Sequence, residues 1–476
     1  MDEQLYCEAM TDNAYTKQPN DATQNIGNGS YSTADPYVKK VWDGRYTGIR
    51  MCNELLENID RVPDLVPELK KRYIGEAKVL RAYNYYELYT KFGDVPYTTK
   101  VLSIKESMSI ARTAKATVIA NVLADLDEVI NGNYLPTSYD ADNKGRITRW
   151  AAMAIKAKIY LFEGNWMQVK NITSTIMTEG GFKLFESYAG LFEIANEYNS
   201  EVILDAQYRP TSREHQMMYV FLPPTLGGYS QLSPLQELVD SYIMLDGKTI
   251  KETGTSFDEN HPYANRDPRL KATVMYTGNS YTLADGTEVV INCEKGEGKD
   301  GYGVGSDCSA TGYYIKKYWD NTYRATLYSG LNPILIRYAD ILLMNAEALA
   351  ELGELDKTAW DATIKPIRDR AGFTLASALE FPEGASKDKL IEIVRNERRS
   401  ELALEGHRHK DIIRWRIADN VLNGWCHGLK TNDVVGTDDG YVRVENRTFN
   451  ANRHYLWPIP QAERDLNGNL EQNPNW

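Results

Sequence analysis

The chain has 476 residues, 42% of them hydrophobic, which is enough to bury a sizeable core. Its 54 Lys and Arg against 66 Asp and Glu give a net charge of -12, which argues against nucleic-acid binding, where a basic footprint is needed. No uninterrupted apolar run approaches the ~18 residues a membrane-spanning helix needs.

Residues 1–34 are polar and turn-rich and read as loop after a short ordered start. Met1-Asp2-Glu3-Gln4 lacks a basic and then apolar leader, and no hydrophobic run precedes Cys7, so neither a signal peptide nor an acylation site is expected. Asp35-Pro36 opens a helix that runs to about Ile59. A second helix spans about 68–92 and ends at Gly93-Asp94-Val95-Pro96; a third spans about 115–130. A fourth spans about 148–162, with Ala151, Ala152, Ala154 and Ala157 allowing close helix approach, and a fifth ends near Gly180-Gly181. Further helices are expected over about 333–352, 358–371, 384–405 and 408–420. The expected class is mainly α, with helix pairs in a tetratricopeptide-like stack, although that repeat's consensus is degenerate here.

From about 181 to 332 the helical period is lost. Gly, Tyr, Thr and Asn dominate, and 201–204 and 313–318 read as short strands. Loops on a rigid scaffold suit ligand binding. This excursion and the loops near 28–37 are therefore the expected ligand site. Tyrosine supports that expectation, with 32 residues against 10 phenylalanines, because Tyr joins a flat apolar face to a polar tip. Most of these rings are expected to pack between helices. Candidates for stacking on a ligand are Tyr31, Tyr37, Tyr229, Tyr281, Tyr302, Trp319 and Tyr323, with Asp320, Asn321 and Arg324 offering hydrogen bonds. Trp42, Trp150, Trp166 and Trp415 sit in helices and read as core.

Metal and cofactor signals are weak, and no cofactor is expected. The five cysteines and six histidines lack metal-ligand spacing. Cys293 and Cys308 flank a glycine-rich loop, where a bridge and free thiols both remain open. Asp140 to Gly145 mimics the start of a calcium loop but lacks the later Glu, so it reads as a turn and helix cap. Gly296 to Gly305 has no flanking strand and helix to make a phosphate cradle; it reads as a mobile loop or as one that lays Tyr302 against a ligand.

The densest signal is RNERRSELALEGHRHKDIIRW, Arg395 to Trp415. It has helical spacing, yet Glu397, Arg398, Glu401 and Glu405 fall between its apolar positions. A solvated helix laced with ion pairs is the ordinary reading. A catalytic reading of Glu397, Glu401 or Glu405 is opposed by the arginines, which would hold those carboxylates ionised.

The same string resembles the NERRxELxxEGHRxxDxxRW signature of the SusD/RagB family of nutrient-binding outer-membrane proteins. Four further segments resemble that family in order: Glu76–Tyr97, Gly145–Tyr160, Ile336–Glu354 and Leu456–Trp476. Asn475 stands where Gly is usual, and His409-Lys410 replace the usual aromatic pair. The resemblance implies one domain over 1–476. Its helical scaffold of four repeats would cover about 35–180 and 333–420, with the excursion at 181–332 and a C-terminal extension at 421–476. It also implies a non-enzymatic protein on the extracellular face of a Bacteroidetes-type outer membrane. That protein would bind an oligosaccharide or polysaccharide and pass it to a SusC-like TonB-dependent transporter. The native precursor would carry a signal and a lipidated cysteine, and this chain would be trimmed past both. Peptide uptake, as in RagB-type relatives, and glycoside hydrolysis are the alternatives.

Overall fold

A computed structural model describes residues 2–17, 22–322 and 327–476. The architecture is mainly α. Asp35 caps α1 (Pro36–Asn58), its carboxylate accepting from the Tyr37 and Val38 amides at 3.0 and 3.4 Å. There follow α2 (Pro67–Phe92), α3 (Lys115–Asn131), α4 (Arg149–Phe162) and α5 (Trp166–Glu179). Thr148 and Asn165 cap the last two through their side-chain oxygens. Ala151, Ala152, Ala154 and Ala157 are all buried, and α4 lies against α3 and α5 at this small-residue face. Later come α6 (Tyr338–Leu352), α7 (Ile364–Ala371), α8 (Lys387–Glu401) and α9 (Arg408–Arg414). Among the described residues no helix is long and apolar enough to cross a membrane.

The helix bounds differ from the sequence reading in four places, each for a physical reason. Ile334–Arg337 is not helix; it pairs antiparallel with Val202–Asp205 and so ties the excursion to the scaffold. The 358–371 helix is broken at Thr363, and Pro366 then falls in the first turn of α7, where its missing N–H costs nothing. The helix expected to reach 405 stops at Glu401. Residues 402–406 turn, with Leu404 at φ 62°, so that the carbonyls of Ala403 and Leu404 accept from Lys317 Nζ and the Tyr318 hydroxyl at 2.8 Å each. The last helix breaks between Arg414 and Ala418, with Arg416 at φ 57°.

The expected 313–318 strand shrinks to Tyr314–Ile315, paired with Val274–Met275. Residues 1–34 are not mainly loop: Ala14–Thr16 pairs with Leu232–Pro234, and Leu5, Ala9 and Met10 are buried. Polarity misleads there because the polar groups are spent internally. Asn13 donates to Glu8 at 2.9 Å, and Arg408 donates to Asp12 at 2.8 Å.

Two main apolar cores result. One fills α1–α5 and takes in Trp457, Ile459 and Leu470 from the C-terminal segment. The other lies under the excursion and takes in Leu5, Ala9 and Leu404. A third cluster joins α6, α7 and α8. Past α9, Thr437–Asp438, Tyr441–Arg447 and Gly424–Lys430 form an antiparallel sheet in that order.

Candidate functional site

The charged face of α8 is buried, which overturns the reading of it as a solvated surface. Glu397, Arg398 and Glu401 are all sealed from water. Arg337, entering from the strand before α6, reaches Glu201 at 2.7 Å, Glu401 at 2.6 Å and Glu405 at 2.7 Å. Arg269, from the excursion, reaches Asp267, Glu397 and Glu401 at 2.7, 2.7 and 2.8 Å. Arg370 of α7 pairs with Glu201 and Glu401. Lys317 reaches Glu405 at 2.6 Å. A second group binds Arg398 to Asp340 and Asp411, and Arg414 to Glu347.

Buried charges persist only when paired and hydrogen-bonded. Burial works against ionisation of Glu401, but Arg370, Arg337 and Arg269 outweigh it and hold the carboxyl at about 2. Glu405 stands at about 2 for the same reason, with Arg337 and Lys317 outweighing burial. Burial drives Lys317 down to about 8 against the pull of Glu405. Ionised, saturated and closed to solvent, these carboxylates cannot deliver or accept a proton on a ligand. The segment is a clamp between excursion and scaffold.

The excursion carries the candidate binding groups. Trp319 is half-buried; its Nε1 donates to the Thr282 carbonyl at 2.9 Å, and its ring meets that of Tyr281 at 5.1 Å and 63°. Tyr281 is wholly buried and donates its hydroxyl to the Ile315 carbonyl at 2.8 Å. It therefore braces Trp319 and offers no face to a ligand. Tyr302 is half-buried on the same core. Tyr229 is half-buried, 4.2 Å from the ring of Tyr219 with the two hydroxyls bonded. Tyr219 is a partner the sequence reading missed. Asn321 is exposed. Asp320 is buried, accepting from the Ile194 amide at 2.5 Å and the Thr322 amide at 2.7 Å, and so shapes the loop. Tyr323 and Arg324 lie outside the described residues.

Tyr31 and Tyr37 belong elsewhere. Both are buried in the scaffold core, Tyr31 against Trp476 at 4.7 Å and Tyr37 against Trp457 at 6.1 Å. Tyr31 lies in loop-like sequence and Tyr37 in the first turn of α1, and the C-terminal segment returns to cover both. Cys293 and Cys308 are buried free thiols; Cys308 donates to the Lys299 carbonyl at 3.3 Å, and burial pushes the Cys293 thiol far up. Asp140 caps a short turn, accepting from the Asn143 amide at 3.0 Å.

Comparison with known proteins agrees with this architecture. A model described as SusD family matches residues 190–476, and one described as "Starch-binding associating with outer membrane" matches residues 1–161. SusD-like protein P25 of Formosa agariphila is 28% identical, over 85% of this chain and 77% of its own length. A crystal structure of a SusD-like carbohydrate binding protein from Bacteroides fragilis is similar at TM-score 0.88 and 29% identity, covering 98% of this chain and 93% of that one. A second SusD-like structure from Bacteroides fragilis gives TM-score 0.85 and 28% identity, covering 100% of this chain and 94% of that one. With one family model spanning more than half its length, the chain belongs to the SusD family.

Proposed function

We propose that the protein captures oligosaccharides at the outer face of an outer membrane and delivers them to a SusC-like TonB-dependent transporter. The observation that carries the reading is the mounting of Trp319. Its indole is fixed from behind by Tyr281 and at its edge by the Thr282 carbonyl, yet the side chain stays partly exposed. A pre-fixed aromatic face loses little side-chain freedom on docking and matches the apolar face of a pyranose. Asn321 beside it supplies planar amide groups for sugar hydroxyls. Tyr302 packs on the same core, as does Tyr219, the ring partner of Tyr229, and Tyr323 and Arg324 follow directly in the chain. Family membership and the name of the Bacteroides fragilis relative support a carbohydrate ligand, and the second family description supports outer-membrane association.

Each site would bind weakly, since a solvent-exposed sugar gives up good water contacts. Tethering capture beside a transporter raises the effective concentration without new contacts. The test is native affinity electrophoresis against plant, host-mucin and microbial polysaccharides, with each mixture assayed for released sugars. Retardation without products is expected. Released products would replace the reading with a hydrolase, and retention by peptides alone would replace it with peptide uptake.

A further inference from the structure

A trough lies on the opposite side of the signature helix. The inner face of α8 is the buried clamp; its outer face floors a trough. One depression of about 420 Å³ reaches from Asn396 and Arg399 to Trp425. A second, of about 580 Å³, shares Asn396 and Arg399 and runs on to Trp415. Each falls in the range of ligand sites, about 300–1,000 Å³.

Trp425 stands at one end, on the edge strand Gly424–Lys430. It keeps 43% of its surface in water, more than any other tryptophan among the described residues. Arg443 lies 5.6 Å from the ring centre and is itself held by Asp438 at 2.9 Å, so one face is backed and the ring is steadied. Leaving a large apolar ring in water forgoes the stabilisation of burial. A ring that is both exposed and steadied is suited to receive a partner face.

The floor is polar, with both hydrogen-bonding senses. Asn396 spends its amide N–H on the Ser241 carbonyl at 3.1 Å, and its Oδ1 has no partner among the described residues. Arg399 spends Nε on Asn13 and Nη2 on Asp12, leaving Nη1 without a partner among the described residues. Asp240 uses Oδ1 for Gln236, at 2.7 Å. The side chain of Asn420 is exposed at the trough's wall. Fixed charges are balanced: Asp12, Glu237 and Asp240 line the first depression with Lys251, Arg399 and Arg447. Open donors and acceptors side by side, without net charge and next to an aromatic face, fit a hydroxyl-rich neutral chain. An anion would meet Asp240, and an amphipathic helix would find little apolar floor.

We propose that this trough is a second carbohydrate-binding site, taking a neutral oligosaccharide lengthwise over Asn396 and Arg399 with one sugar stacked on Trp425. It rests on the glycan-binding reading above and adds to it a subsite remote from Trp319. Two sites on one body would let a polysaccharide be held at two points, which raises avidity.

The experiment uses the full chain with amylopectin and laminarin in affinity gels and with maltohexaose and laminarihexaose in calorimetry. Trp425→Ala, Trp425→Phe, Asn396→Ala and Trp319→Ala are compared, with thermal unfolding confirming that each folds. Loss of one stacking partner weakens hexasaccharide binding at that site about tenfold. The expected result is that Trp425→Ala and Trp319→Ala each reduce retardation, their combination abolishes it, and Trp425→Phe retains part of it. Radical footprinting of the wild type with saturating hexasaccharide should protect Trp425. Unchanged retardation and no protection for Trp425, with Trp319→Ala abolishing retention, overturns the trough alone. No retention of the wild type by either glucan or the wider panel overturns the glycan reading and the trough together.

Discussion

The guanidinium of Arg337 lies 2.6 Å from the carboxylate of Glu401, 64 residues further along the chain, and neither touches solvent. Around this contact meet the excursion through Arg269, the strand before α6 through Arg337 itself, and α7 through Arg370. Taking two charges out of water is costly, and breaking one partner of such a pair leaves the other uncompensated. Glu401→Gln should therefore destabilise the protein by roughly 3–5 kcal/mol, read as a lower urea midpoint. Lys357→Ala, which removes the exposed pairs with Asp361 and Glu380, should leave the midpoint nearly unchanged. Equal costs for the two variants would contradict the clamp.

Stability should couple to pH in two opposed directions. Glu401 and Glu405 are held at about 2 in the fold, below the ordinary 4.5. Between those values the unfolded chain binds more protons, so their contribution is present above pH 4.5 and is lost as pH falls toward 2. Glu8 runs the other way. Burial, which outweighs hydrogen bonds from Asn13 and the Gly406 amide, raises it to about 7. Its contribution is present below pH 4.5 and is lost as pH rises through 7. Burial likewise raises Asp205 to about 6, despite its bond from Asn332. His407 and His409, pushed down to about 3 by burial, work against this fall, because they add stability as pH rises toward 6.5. The Glu8 contribution is therefore read as the difference between wild type and Glu8→Gln in a melting series from pH 2.5 to 9. Glu8→Gln should flatten the upper limb and leave the acid limb in place.

The scaffold was legible because its signals are local. Asp35-Pro36 and the alanines of α4 announce a cap and a close-packing face within a few residues. The family motifs added the architecture. The fate of the charged string was not legible in the same way. Ion pairs at i,i+4 on a surface and a buried network satisfied from other segments have the same local spacing; only Arg269, Arg337 and Arg370 arriving from elsewhere decide between them. Tyr31, Tyr37 and Tyr281 failed as ligand candidates for a related reason. Each sits in or beside loop-like sequence, and each is covered by residues distant in the chain. Trp425 was not weighed because it lies in the C-terminal extension, outside the segment that composition marked.

Trp319 and Tyr281 should separate cleanly by mutation. Trp319→Ala removes a half-exposed ring and should weaken glycan retardation about tenfold with a stability cost near 1–2 kcal/mol. Tyr281→Ala empties a buried site and should cost about 3–5 kcal/mol. Tyr281→Phe, which removes only the hydroxyl bonded to Ile315, should cost about 1–3 kcal/mol. Affinity gels at a temperature where all variants are folded, paired with urea unfolding, give both readouts. Trp319→Ala with undiminished retardation would remove the platform from the glycan site.

The excursion and the C-terminal sheet are interlocked at Gly312. This residue has φ 79°, and a Cβ there would stand 1.7 Å from Leu429 Cδ2. The Leu429 amide donates to the Thr311 carbonyl at 2.7 Å, so the two backbones cannot simply part. Gly312→Ala meets both penalties: the left-handed conformation costs roughly 1–2 kcal/mol for a residue with a Cβ, and overpacking adds roughly 1–3. Leu429→Ala alone opens a cavity, at about 2–5 kcal/mol. In the double variant the new methyl enters the space Leu429 vacates, so the overpacking cost disappears while the backbone cost stays. The combined loss should fall short of the sum by about 1–3 kcal/mol in a double-mutant cycle of urea unfolding. Strict additivity would mean that the sheet yields without strain and that the two segments are held together elsewhere.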